Sequence, residues 1–275
     1  MTEPSLTDVL FLASGDGALE GVAPRGLSNA AVSNAPEKGA PFGGLMAALA
    51  ARAMREGLDL QAPLRTLTVQ FLASARFDQP VQFRPRMARG GRNVAYTGLD
   101  ADQAGRPILQ AMATWGRDSQ AETLSPLRAA PPPIAELDPE HRVKGPMAPH
   151  FTNYVDFVFE GRPNILGGNR GKPVVERLWM RTKDGLPLDQ ERLCFLLDAL
   201  YPPAWTAFRR PPMMTSVDLR YDILTDPTPE LCPDGWAFFE YRLTDHGLGW
   251  SMDDCACWGA DGTPLAIARQ RRKLL

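Results

Sequence analysis

Two stretches of the 275-residue chain carry the same punctuation at a single spacing. Gly90 and Gly247, Gly105 and Gly262, and Pro107 and Pro264 are each 157 residues apart. In both stretches a glycine-rich turn is followed by an apolar run, a second turn and another apolar run. Alternation of apolar and polar residues between turns is the mark of half-buried strands. Upstream, Leu67–Leu72 and Ser216–Tyr221 are alternating segments of the same style. A constant register over this many strands restricts the chain to folds built twice from one unit.

Each half also carries one long apolar helix. The run from Phe42 to Met54 is apolar nearly all round, rich in alanine, and stops near Gly57. A helix apolar on every face has to be wrapped by other structure. The second helix starts after Asp189, a good N-cap residue, and its pattern runs to Leu200, before Pro202 and Pro203. The spacing therefore predicts helices over 44–55 and 190–200. Between the halves, Ser125–His150 holds seven prolines and little periodicity, which reads as an extended connector. The expected division is residues 1–124, a connector 125–149, and residues 150–275. A buried helix followed by antiparallel strands, done twice, implies an α+β fold in which each half curls a sheet around its helix.

Composition removes several classes. Lys and Arg number 30 against 32 Asp and Glu, a net charge of −2, without the basic excess of a nucleic-acid binder. No run of about 18 apolar residues exists to span a membrane. The first residues show no basic segment followed by an apolar stretch, so a cytoplasmic location is expected. Four cysteines are too few for a disulfide framework, and Cys255 and Cys257, alternate residues on one strand, read as buried small apolar side chains. Three histidines, His141, His150 and His246, leave little room for metal sites or a Ser-His-Asp triad, and no Gly-x-Ser-x-Gly is present. Gly167–Gly171 lacks the Lys-Ser/Thr of a phosphate loop and reads as a hairpin or a mobile loop.

Asp198 stands alone in the apolar run Phe195–Leu200. A buried carboxylate requires a partner, which is met either by a structural cap or arginine or by a site that uses the acid. Gln270 and Ser216, taken alone, are ordinary strand residues. By the repeat spacing Gln270 corresponds to Ala113, and the first helix holds no acid in its apolar run. Any polar site is therefore single and built mainly from the second half, the first half contributing its helix start and a wall of the pocket.

Phe42-Gly43-Gly44 opening an alanine-rich helix, a strand ending Phe71-Leu72, and Arg89-Gly90-Gly91-Arg92 resemble the acyl-CoA thioesterase II (TesB-like) family. The resemblance implies a double hotdog fold and hydrolysis of an acyl-CoA thioester to free acid and coenzyme A. It needs no cofactor beyond the coenzyme A of the substrate itself. It also implies a catalytic set of Asp198, Gln270 and, with Ser where the family has Thr, Ser216, together holding a water. Thr215 is adjacent, one residue out of strand parity. The family's Asp-His pair after the hydroxyl is here Asp218-Leu219. Gly43 and Gly44, at a helix N-terminus, fit an oxyanion site or, equally, a close packing contact. Arg269, Arg271 and Arg272 are basic residues that could meet coenzyme A phosphates or lie on a solvated edge. A hotdog hydratase is disfavoured because Pro203, not His, stands five residues after Asp198. A non-catalytic acyl-CoA or fatty-acyl binding protein is the alternative. The expected partner is the small-molecule substrate, with neither nucleic acid nor membrane. One chain is expected to form a complete unit, and a homodimer or higher homo-oligomer is compatible with the sheet faces.

Overall fold

The computed structural model of the chain describes residues 4–15, 17–163, 165–168 and 173–275. The first half comprises α1 (Leu6–Leu10), β1 (Ala13–Ser14), β2 (Leu19–Val22), α2 (Gly43–Gly57), β3 (Leu64–Phe71), β4 (Pro80–Gly90), β5 (Val94–Gln103) and β6 (Arg106–Gly116). The second comprises β7 (Val155–Phe159), β8 (Val175–Thr182), α3 (Gln190–Leu196), α4 (Ala204–Ala207), β9 (Met214–Ile223), β10 (Ala237–Gly247), β11 (Trp250–Trp258) and β12 (Pro264–Leu274). The hairpin or loop expected at Gly167–Gly171 lies in part outside the described residues.

The strands form one antiparallel sheet in the order β1-β2-β4-β5-β6-β3-β9-β12-β11-β10-β8-β7. Read outward from its centre, the order repeats: β3 answers to β9, β6 to β12, β5 to β11, β4 to β10. β4 and β10 are offset by 157 residues at both ends, as the repeat requires. The halves meet where β3 pairs with β9, Val69 opposite Leu219. This is the double hotdog architecture. Among the described residues no helix is long and apolar enough to cross a membrane.

α2 packs against β2, β3, β4 and β5 as well as α3. Ala47, Ala48, Ala50, Ala51 and Ala53 are all buried, and their small side chains let sheet and partner helix approach closely. α3 begins as expected, with the Asp189 carboxylate accepting from the Arg192 N–H at 2.7 Å. It ends four residues before the expected Leu200. After Leu196 the chain tightens: the Ala199 N–H donates to the Leu196 carbonyl three residues back. That same carbonyl accepts from the Tyr241 hydroxyl at 2.7 Å. Leu197–Leu200 are buried, and burial, not helical phase, explains their apolar run. Asp198 consequently sits in a turn just past α3.

The proline-rich segment has no strand, but it is not a free tether. Trp179 donates its indole N–H to the Pro132 carbonyl at 3.0 Å and Trp258 to that of Leu127 at 2.6 Å. Ile134 and Leu137 pack on Trp179, Phe238 and Trp258. Buried indoles need acceptors, and backbone carbonyls of the extended segment supply them.

Candidate active site

A cavity of about 580 Å³ opens between the two halves. The first half contributes residues 29–31, Asn34, residues 38–43, Met46, the end of β3 through Ala75, and Ile108. The second contributes Phe151, Asp198, Leu200–Pro202, Trp205, the start of β9, and Gln270 and Arg272 of β12.

Asp198, 7% exposed, faces the backbone N–H of Gly44, at the N-terminus of α2, and the Gln270 side chain, both of which favour its charged form. Burial pushes its carboxyl up to about 6, against the opposing pull of Arg272, Gln270 and the Gly44 N–H. Gln270, also 7% exposed, donates from Nε2 to Ser216 Oγ at 2.7 Å, and its Oε1 accepts from Arg272 Nη2. Arg272 Nη1 lies 3.1 Å from Asp253 Oδ2, with both side chains buried. That ionic contact is off-line, and neither Asp253 oxygen makes a hydrogen bond.

Strand register decides which hydroxyl enters this set. On β9 the core-facing residues are Leu219, Tyr221 and Ile223, and strict alternation would place Val217 and Thr215 inward with them. A bulge intervenes: Arg271 pairs with Asp218 and Arg272 with Ser216, leaving Val217 as the extra residue. Such an insertion reverses parity beyond it. Ser216 therefore turns inward beside Gln270, and Thr215 is exposed.

The structure separates residues that were contiguous in sequence. Arg269 and Arg271 are exposed on the outer face of β12, and Arg269 is paired with Asp254 at 2.6 Å. Arg272 is the correction to the expected phosphate contact: it points inward and is engaged by Asp253 and Gln270. Period-two alternation splits the basic run. Lys38, from the first half, is the other cation lining the cavity. The glycines also divide. The Gly44 N–H faces Asp198 and favours its charged form, whereas Gly43 lines the cavity. A Cβ on Gly43 would stand 2.7 Å from Asp198 Oδ2 and 3.3 Å from the Phe71 ring.

Sequence reasoning missed Asp253, Lys38 and the cavity aromatics Trp205 and Phe151. Asp253 carried a signal, an acid at an inward position of β11 opposite Gln270. All four cysteines are buried and free, and burial raises the thiol pKa of each. No histidine lines the cavity among the described residues.

The place related to this site by the internal two-fold is filled. There Arg55 donates to Gln190 Oε1 at 2.6 Å and to Glu191 at 2.8 Å, and its guanidinium lies over Trp115. Gln190 in turn bonds Leu64 and Asp226. An acid presented to a cavity at one end of the helices is replaced at the other by a structural ion pair.

Two family models match the chain in succession. A model of the acyl-CoA thioesterase N-terminal domain matches residues 32–116, and one of the C-terminal domain matches residues 128–271. No curated protein sequence matches the chain. A hot dog fold protein of unknown function from Alicyclobacillus acidocaldarius superposes with a TM-score of 0.84 at 22% identity, covering 100% of this chain and 99% of that one. The acyl-CoA thioesterase II TesB2 of Mycobacterium marinum gives 0.75 at 18% identity, covering 98% of each. The tesB protein of Mycobacterium avium subsp. paratuberculosis gives 0.77 at 14%, again covering 98% of each. At these identities the superpositions speak for the fold.

Proposed function

Because the chain belongs to the acyl-CoA thioesterase family, we propose that it hydrolyses an acyl-CoA thioester by direct attack of water, with Asp198 as general base. The observation that carries this reading is the placement of one buried carboxylate at a cavity wall, faced by Gly44 and Gln270. A base near pH 6 is ionised at neutral pH yet close enough to working pH to accept a proton in the transition state. Asp198 takes a proton from a water held against it, and the water oxygen bonds to the thioester carbonyl carbon. The resulting tetrahedral oxyanion collapses with cleavage of the C–S bond. The sulfur leaves with the proton stored on Asp198, giving free acid and coenzyme A.

The neighbouring groups have complementary roles. Ser216 Oγ already accepts from Gln270, so its own hydrogen is free to be donated toward the water or the carbonyl. The Gly43 backbone at the mouth of α2 supplies a donor edge and the positive end of the helix for the oxyanion. Phe71, Phe151, Trp205 and Met214 form apolar wall for the acyl group, and Lys38 offers a charge to the phosphates. Because both halves line the cavity, the C-terminal half by itself is expected to lack activity.

Thiol release from a panel of acyl-CoA esters, followed with a thiol reagent, tests the reading. The acid limb of kcat/KM should have its midpoint near pH 6, with activity lost below it as Asp198 protonates. Binding of acyl-CoA without thiol release would leave only a carrier on this fold. Gln270→Ala and Ser216→Ala should each lower kcat by about 10-fold or more, less than loss of the base, because they orient rather than transfer the proton.

A further inference from the structure

We propose that Arg272, braced from behind by Asp253, is the positioning residue of this site. Its guanidinium clamps Gln270 Oε1, so the amide can present only its NH2 to Ser216 and Asp198. A guanidinium has donors and no acceptor, so the amide atom that faces it must be the oxygen. With Oε1 fixed, the opposite end of the amide is necessarily the donor end. A free glutamine could turn over and aim its oxygen at the carboxylate and the hydroxyl, repelling both.

The pair is built for this task rather than for solvent. The Arg272 and Asp253 side chains are 6% and 4% exposed, and a buried ion pair seldom adds net stability over apolar residues of the same size. Their inward direction follows from the β12 and β11 pleats, on which Gln270 sits opposite Asp253 and Arg272 opposite Ser216. The cation also acts on Asp198 through space. Arg272 is the strongest influence opposing the effect of burial on that carboxyl, and Asp253 works weakly the other way. Tyr221 of β9 and Tyr241 of β10 also face Asp198, both kept neutral by burial. From α2 it faces the uncharged backbone of Gly43 and Gly44. Arg272 is thus the sole cation among these groups.

The inference rests on the hydrolase reading, and its test separates the two. The full chain is compared with Arg272→Met, Asp253→Asn and the double variant. Arg272→Met should lower kcat by about 10- to 100-fold with KM changed less than about threefold, the mark of misplaced chemistry rather than lost binding. It should also unfold at lower temperature, since Asp253 is left buried and alone. The double variant removes that stranded charge and should regain thermal stability without regaining kcat. Recovery of both would make the pair merely structural and overturn the proposal, as would parental kcat in Arg272→Met.

A second readout needs no turnover. The Asp198 carboxyl, followed by ¹³C NMR, should titrate at higher pH in Arg272→Met than in the parent, and by a smaller margin in the double variant. An unmoved midpoint overturns the proposal even if the parent hydrolyses no acyl-CoA, a result that would instead count against the hydrolase reading.

Discussion

Asp198→Asn is expected to lower kcat about 10²–10⁴-fold, the usual worth of a general base, while making the folded protein more stable at neutral pH. The two effects have one origin. Burial raises this carboxyl from 3.8 to about 6. A group raised in the folded state contributes stability that is fully present below its unfolded value and is lost as pH rises through the folded one. Above pH 6 the parent therefore carries an ionised carboxylate that the fold disfavours, at a cost of up to about 3 kcal/mol for a shift of that size. Asparagine keeps the shape, still faces the Gly44 N–H, and has no charge to bury. Its stability advantage should be large at pH 8 and shrink steadily toward pH 4. Urea unfolding at the two ends of that range, beside single-turnover thiol release, reads both effects. Parental turnover, or a stability gain independent of pH, would show that Asp198 is not a buried base.

Gly44→Ala should lower both stability and turnover. A Cβ there would stand 2.5 Å from the Phe195 carbonyl oxygen and 2.6 Å from two carbons of the Phe42 ring. Phe195 presents backbone, which cannot rotate away, and Phe42 is itself stacked on Phe151 and edge-on to Phe195. The N-terminus of α2 has to withdraw from the end of α3, an overpacking strain of about 1–3 kcal/mol. Withdrawal also takes the Gly44 N–H away from Asp198, so kcat falls with Tm. Gly43→Ala supplies the contrast. Its nearest neighbours are Asp198 Oδ2 and the Phe71 ring, both side chains. It should depress kcat while Tm moves little. Equal Tm values for Gly44→Ala and the parent would refute the packing argument.

The repeat was legible because turns leave a sequence mark that tertiary contacts do not erase. Gly105 and Gly262 both adopt positive φ, a conformation that glycine tolerates without steric cost. The same spacing recurs in β4 and β10. The helix at 43–57 was legible because it is apolar on every face. Asp198 stood out as a lone acid in an apolar run, but the family resemblance, not the pattern, pointed to Gln270 and Ser216. The misplaced end of α3 has a simple cause. Leu196, Leu197 and Leu200 are buried whether or not the backbone is helical, so periodicity cannot mark the stop.

By itself the sequence determined the doubled unit and the presence of the two helices, and it singled out the polar residues to follow. These follow from local propensity and from patterns that depend on near neighbours in the chain. The tertiary structure alone decided which of them meet. Whether Ser216 or Thr215 faces Gln270 depends on a bulge at Val217, defined only by the register of β9 against β12. Whether Arg272 reaches solvent or Gln270 depends on the direction of the β12 pleat and on Asp253 across the strand. Whether the Gly44 N–H is free for substrate depends on where a turn 154 residues later delivers its carboxylate. Such pairings are set by strand register and close packing between distant segments, and no local run of residues encodes them.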